Sequence, residues 1–293
     1  MSNTAVKRFF SNRTKKPNRS KAGNLAVFIV LLVLAIFSFL PLLLTFTQAF
    51  KPLNELFIYP PKLLPQNPTL QNFALLFDLM GSSWVPFSRY IFNTVFVSVI
   101  GTIGHIILAS MCAYPLAKLN LKGGTIIFSL IVTSLMFPAA VNDIVNYNTI
   151  SSFGLIDNYL SILLPAFASS LGLYIMKQFM SQLPDSLIEA AEIDGAGHFR
   201  VFWTIIMPNV KSAWLTLAIF SFKDLWGGAN ATYIYSEEMK SLTSALNQIL
   251  TGGVSRAGAG AAGSVLLLIV PCVMFIITQS RIVETMATSG MKE

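Results

Sequence analysis

The chain has 293 residues, 54% hydrophobic and only 11% charged, with a formal net charge of +7. Soluble domains carry about 25% charged residues, so a chain this poor in charge cannot cover a soluble surface, and a membrane protein is the first reading. The positive excess is concentrated in Lys7, Arg8, Arg13, Lys15, Lys16, Arg19 and Lys21; it reads as a topology signal and not as a nucleic-acid footprint.

Residues 1–24 read as a disordered basic tail on the cytoplasmic side, with lipid headgroup contact as a secondary role. Five stretches then lack any charge: 22–50, 90–117, 123–142, 158–176 and 257–280. Each is long enough to cross a hydrocarbon core of about 30 Å as a helix of about 20 residues. The runs are continuous and not alternating, which selects helices over barrel strands. Span one, 25–47, is too long for a signal-peptide core, and no small-residue cleavage site follows it. Residues 48–89 form an outside segment, turn-rich around Pro52, Pro60, Pro61, Pro65 and Pro68, then a short amphipathic helix within 67–77 capped by Thr69.

A helical core of 90–283 follows. Span two is 90–114, "KLNLKGG" is a cytoplasmic turn, span three is 125–144, 146–159 is an outside loop, and span four is 160–179. Span five, 209–228, is the least regular, with Lys211 near one end and Lys223 and Asp224 near the other. An outside loop, 229–253, leads to span six, which opens in the small-residue run "AGAGAAGS" and is expected to pack tightly there. A cytoplasmic tail, 284–293, closes the chain. The expected fold is an all-α membrane protein with six transmembrane helices and both termini cytoplasmic; the loop between spans three and four has no Lys or Arg, as the positive-inside rule requires of an outside loop.

Cys112 and Cys272 lie in apolar spans and read as packing residues, without a disulfide framework. No phosphate-binding G-x-x-x-x-G-K-[ST], H-E-x-x-H, Cys/His cluster or calcium loop occurs. The expectation is therefore no catalytic site, no metal and no cofactor in this chain. His105 lies mid-span, where an ionisable group serves either transport or hydrogen-bonded packing. Asp143 and Asp157 read as solvated residues flanking an outside loop. Lys223 and Asp224 either mark the end of span five or face an aqueous cavity; in the second reading Asp224 and Trp226 border the translocation path, with His105 a further candidate.

One segment, 184–208, breaks the apolar pattern: "PDSLIEAAEIDGAGHFRVFWTIIMP". Ser186-x-x-Glu189 has the form of a capping box. Leu187, Ala190, Ala191 and Asp194 have helical spacing, and Gly195 stands where the helix would stop. A second helical stretch, 198–206, ends near Pro208, which opens span five. Alanines that permit close approach, Phe199 and Phe202 as anchors, and directed acidic charge suit the segment to docking.

Glu189-Ala190-Ala191, then Gly195, Ile205, Met207 and Pro208, resembles the EAA loop of the permease subunits of binding-protein-dependent ABC importers. The likeness runs from about residue 90 to the C-terminus, through "YIFNTVFVSVIGT", "AYPLAKLNLKG" and "NYLSILLPA", and is strongest to the smaller permease subunit of maltose-type carbohydrate importers. Met207 stands where the family usually has Leu, Trp226 is followed by Gly227 and Gly228 where many sugar permeases have Asn-Asp, and "ATYIYSEEMKSL" (231–242) also departs from the best-known members.

The resemblance implies the type I (MetI-like) permease fold and one half of an ATP-driven pathway for a carbohydrate, an oligosaccharide in particular. It also implies a second permease subunit, two cytoplasmic ATPase subunits that hold ATP and Mg, and an extracytoplasmic solute-binding protein. The 184–208 segment would couple to the ATPase through Glu189, Ala190, Ala191, Asp194, Gly195, Phe199, Phe202 and Pro208. Two rivals stand beside it: a non-sugar solute within the same family, and an ion-coupled secondary transporter. The latter would need intramembrane carboxylates and would leave the 184–208 segment unexplained.

Overall fold

The structure, a computed structural model, describes residues 21–81, 84–119, 121–228 and 232–289. Most of the expected N-terminal tail and the last four residues lie outside these. Residues 21–24 already belong to the first helix. Every regular element among the described residues is helical.

Helix α1, Lys21–Ala49, is apolar on every side and exposed along most of its length. It packs along the last helix, α12, Ala257–Ser289, which continues past residue 283, where a tail was expected. Helix α2, Gln71–Gly81, starts where the Thr69 hydroxyl accepts the Gln71 amide at 3.1 Å. Its apolar face joins α11, Leu242–Leu250, and the small-residue start of α12 in one core. There a Cβ on Gly258, Gly260 or Gly263 would run into Asn72, Leu250 or Leu246. The glycines let these backbones approach where any side chain would hold them apart.

Helix α3, Phe87–Lys118, is the central strut. At about 1.5 Å per residue its 32 residues reach roughly 48 Å. With α1 and α12 it forms the long apolar spans, joined by Leu160–Ser181. Leu160–Ser181 is itself interrupted, and the other expected spans are broken too.

Span three is not one helix to Ile144. Helix α4, Gly124–Ser134, stops, and α5, Ala139–Ser152, restarts beyond Pro138. Proline has no amide hydrogen for the ladder, and its extended backbone resets the chain direction. The 11 residues of α4 cover only about half of a bilayer core. Any complete crossing here must therefore use α5, whose sequence "AAVNDIVNYNTISS" is polar. The first half of the expected outside loop 146–159 is helix as well.

Span four is likewise two helices, α6 (Leu160–Phe167) and α7 (Ser170–Ser181), separated by the extended Ser169. Beyond it come α8, Ser186–Ile193, and α9, His198–Val201. Span five, α10, is Lys211–Gly227, set at 80° to the preceding His198–Asn209 stretch.

Candidate functional site

The 184–208 segment sits at the Lys118 end of α3. Helix α8 begins one residue before the expected cap: the Ile188 and Glu189 amides both donate to the Asp185 carbonyl, at 2.9 and 3.1 Å. Ser186 is thereby inside the helix, Glu189 falls on its fourth residue, and the capping box does not form. Asp185 instead accepts a 2.6 Å ion pair from Lys118, whose ammonium also donates to the Leu183 carbonyl. Lys118 thus ties the segment to α3, a tie that residues 67 positions apart could not announce locally.

Helix α8 stops at Gly195, whose φ is +79°. The Gly195 amide donates to Glu192 and the Ala196 amide to Ala191, closing a Schellman turn. No neighbour would touch a Cβ at Gly195, so the requirement there is purely backbone conformation. Asp194 is the last residue before the turn and is exposed. The chain then enters α9 and a π-helical turn, Phe202–Ile206, before Met207–Asn209. Pro208 lies in that short helix and does not open α10, which begins only after Val210 leaves helical geometry.

The segment has two faces. Ile188, Ala191, Val201, Phe202 and Ile206 are buried in one core with Ala113 and Tyr114 of α3, Met176 and Met180 of α7, and Ala213 and Leu217 of α10. Phe202, expected as a docking anchor, is 3% exposed and packs 5.7 Å from the Tyr114 ring. Its position on the inner face of the π-helical turn assigns it to this core. The outer face carries Glu189, Ala190, Ile193 and Phe199. Ile193 is 86% and Phe199 70% exposed. Phe199 borders a cleft of about 240 Å³ reaching back to Met111 and Leu119. Ile193 escaped the sequence reading because its spacing is that of an ordinary apolar helix position; only its exposure marks it. Each buried large side chain contributes about 1.5–3 kcal/mol, so the inner face holds the segment to α3, α7 and α10 as one body.

The three path candidates are placed differently. His105 is buried between α3, α7 and α10. Its Nδ1 lies 2.5 Å from the Ser221 hydroxyl, and its ring fills the space that a side chain at position 172 would need. Trp226 is buried too: its indole N–H donates to the Leu267 carbonyl at 3.1 Å and its ring stacks on Phe222. Within this chain it joins α10 to α12. Asp224 is exposed, one turn beyond Ser221.

The opposite end of α3 holds a second polar assembly. Asn93, almost fully buried, donates to the Glu238 and Lys240 carbonyls at 2.8 and 2.9 Å and accepts from the Tyr159 hydroxyl at 2.8 Å. Tyr90 donates to Glu237 at 2.9 Å. Burial pushes the Glu237 carboxyl up, but the bonds from Lys240 and Tyr90 outweigh it and hold the group below the ordinary range. Asp157, expected to be merely solvated, staples the same loop: its carboxylate accepts the Tyr235 and Ser236 amides at 2.9 and 2.8 Å and the Ser236 hydroxyl. These bonds, the Ser236 hydroxyl foremost, hold its carboxyl below the usual aspartate value. Asp157 adopts φ +61° to make them.

Residues 105–286 match the family described as "Binding-protein-dependent transport system inner membrane component". The chain is 26% identical over 257 residues to the sn-glycerol-3-phosphate transport system permease protein UgpE of Yersinia pestis bv. Antiqua, covering 86% of this chain and 92% of that protein. It is 26% identical over 263 residues to the arabinooligosaccharides transport system permease protein AraQ of Halalkalibacterium halodurans, covering 88% and 93%. A chain of a bacterial ABC transporter that imports the acidic polysaccharide alginate superposes with a TM-score of 0.73 at 20% identity, over 90% of this chain and 99% of that one. The helical architecture is thus a shared fold, and the chain belongs to the inner-membrane components of binding-protein-dependent transport systems.

Proposed function

We propose that this chain is one half of the translocation pathway of an ATP-driven importer that carries a carbohydrate, an oligosaccharide in particular, across a bacterial cytoplasmic membrane. In this reading it crosses the bilayer six times with both termini in the cytoplasm. The crossings are α1, α3, the α4–α5 pair, the α6–α7 pair, α10 with its bent approach, and α12. A second permease subunit completes the pathway, two ATPase subunits bind and hydrolyse ATP with Mg, and an extracytoplasmic binding protein delivers the solute.

The observation that carries the reading is the two-faced 184–208 segment. Exposed Ile193 and Phe199 beside Glu189 and Ala190 offer an apolar, charge-flanked surface, while Ile188, Ala191 and Phe202 lock the same segment into the spans. A partner pushing on the outer face moves α3, α7 and α10 together. Glu189 supplies directed charge at the docking surface, Ala190 close approach, and Gly195 the turn between the two helical arms. Ala191 and Phe202 act from the inner face as the grip on the spans; Asp194 and Pro208 bound the exposed arms.

The test is the complete complex in proteoliposomes. Glu189→Lys and Ile193→Asp are expected to leave the subunits assembled and to abolish ATP-dependent uptake. Normal uptake by both variants would show that this surface is not where ATPase movement enters. The carbohydrate assignment rests on the relatives; a polyol phosphate is the second reading, favoured by the similarity to an sn-glycerol-3-phosphate permease. Uptake of labelled oligosaccharides against sn-glycerol 3-phosphate separates them.

A further inference from the structure

We propose that α5 and the 232–236 loop form a carbohydrate-binding subsite within this chain, at the end of the bundle opposite the 184–208 segment. The inference rests on the carbohydrate reading above and adds the residues that would hold the sugar.

The site is built from an aromatic cluster on a polar half-span. Tyr147 of α5 lies with its ring centroid 6.2 Å from that of Tyr233, tilted by 30°. Its hydroxyl is 3.3 Å from that of Tyr235. Tyr235 is 58% exposed, so one face of its ring is open. Asp143 shares the helix face of Tyr147 at i−4 spacing; burial, foremost, and then the Asp143 charge disfavour ionisation of the Tyr233 phenol. Ile150, one turn further along that face, is buried, which turns the face toward the protein and away from lipid.

Three physical points converge. First, α4 is too short to cross alone, so the early turns of α5 are needed to complete the passage, and amide and carboxylate side chains at that depth are costly against hydrocarbon. They belong against water or a polar solute. Second, the chemistry matches a sugar. A pyranose has apolar C–H faces that lie on aromatic rings and a rim of hydroxyls that need both donors and acceptors. Tyr235 offers the ring, the tyrosine hydroxyls offer both donor and acceptor, and Asp143 accepts. Third, the cluster is held in advance. Asp157 fixes the backbone on both sides of Tyr235: its own amide donates to the Tyr233 carbonyl at 2.8 Å and its carboxylate accepts the Tyr235 and Ser236 amides. Asn93 and Tyr90 anchor the following residues to α3. A solute therefore meets groups that need no ordering on binding. The sequence "ATYIYSEEMKSL", which departs from familiar sugar permeases, supplies two of the three tyrosines.

The experiment uses the complete complex in proteoliposomes, driven by its loaded binding protein. Tritiated arabinotriose, maltotriose and N,N′-diacetylchitobiose are the probes, and measurements continue with whichever the wild-type complex takes up. Two quantities are read: the maximal uptake rate and the concentration of loaded binding protein that gives half of it. Tyr235→Ala and Tyr147→Ala are expected to lower the maximal rate roughly tenfold, the factor corresponding to one aromatic contact, with the half-saturating concentration unmoved. Tyr235→Phe keeps the ring and is expected to restore most of the rate. Tyr235 is exposed, so its truncation removes no core packing.

Unchanged rates in both alanine variants overturn the subsite. A shift confined to the half-saturating concentration also overturns it, since that assigns the tyrosines to contact with the binding protein. Uptake of none of the three sugars by the wild-type complex removes the carbohydrate reading and the subsite with it, an outcome distinct from sugar uptake that the variants leave untouched.

Discussion

Phe199 and Phe202 are three residues apart in one helical stretch, yet truncating them should have opposite consequences. Phe202 is 3% exposed, between Tyr114 and Trp203 rings at 5.7 and 5.0 Å. Phe202→Ala removes a buried aromatic ring and leaves a cavity among α3, α7 and α10, at a cost of about 3–5 kcal/mol. Phe199 is 70% exposed, so about a third of the burial value of 1.5–3 kcal/mol is at stake, under ~1 kcal/mol. At about 2–4 °C per kcal/mol for domains of this order, Phe202→Ala should lower the melting temperature of the detergent-solubilised complex by on the order of 10 °C, and Phe199→Ala by no more than about 3 °C. The assay is the loss of the monodisperse size-exclusion peak after brief heating at a series of temperatures. Uptake adds the second half of the argument: Phe199→Ala should impair ATP-driven transport in complexes of near-normal stability. If Phe199→Ala destabilises as much as Phe202→Ala, or if Phe202→Ala melts like wild type, the division of this segment into inner and outer faces is wrong.

At Gly195, where φ is +79° and no atom crowds the Cβ position, the series Asn, Ala, Val should lose uptake in that order, because Asn tolerates left-handed backbone and a β-branched residue does not, with about 1–3 kcal/mol of strain at the extreme; equal activity of Asn and Val variants would refute the turn requirement. Lys118→Met should remove the 2.6 Å pair with Asp185 and raise proteolytic cutting between α7 and α8; an unchanged digestion pattern counts against the tie. The Asp157 carboxyl is held below its ordinary value, so its contribution to the 233–236 loop is complete above the unfolded aspartate value of about 3.9 and is lost only as pH falls through the lower folded value. Hydrogen exchange of the Tyr235 and Ser236 amides should therefore show unchanged protection from neutral pH down to about pH 4, once intrinsic exchange is accounted for, and loss of protection in Asp157→Asn at neutral pH; loss of protection in the wild type near pH 6 would contradict it. Gly260→Val should place a branched side chain into Leu250 and lower expression of the folded chain, with Gly260→Ala intermediate; wild-type expression of the valine variant would refute close packing at that point.

Much of this protein is written locally. A run of charge-free residues must become a helix because a bilayer offers the backbone no other hydrogen-bond partners, so the long helices over 22–49, 90–117 and 257–280 follow from composition alone, though not the charged ends to which they extend. The Gly195 stop is legible for the same reason: a left-handed backbone is a property of one residue and its immediate neighbours. The spacing from Glu189 to Pro208 is local too, and it carried the family. Tertiary structure decided what depends on partners far away in the chain. Phe202 and Phe199 are both aromatic and both helical, and only the arrival of Tyr114, Met176 and Leu217 makes one of them core. Asp157 reads as a solvated loop acid until the loop 78 residues later brings two amides to it. That the indole hydrogen of Trp226 goes to Leu267, 41 positions on, is likewise invisible in the sequence. The break at Pro138 was visible as a residue, but whether a proline kinks a span or divides it depends on where the freed polar groups find partners. Here the chain restarts as a polar helix whose Tyr147 meets Tyr233 and Tyr235, an arrangement that spacing along the sequence cannot encode because it is set by how the helices pack.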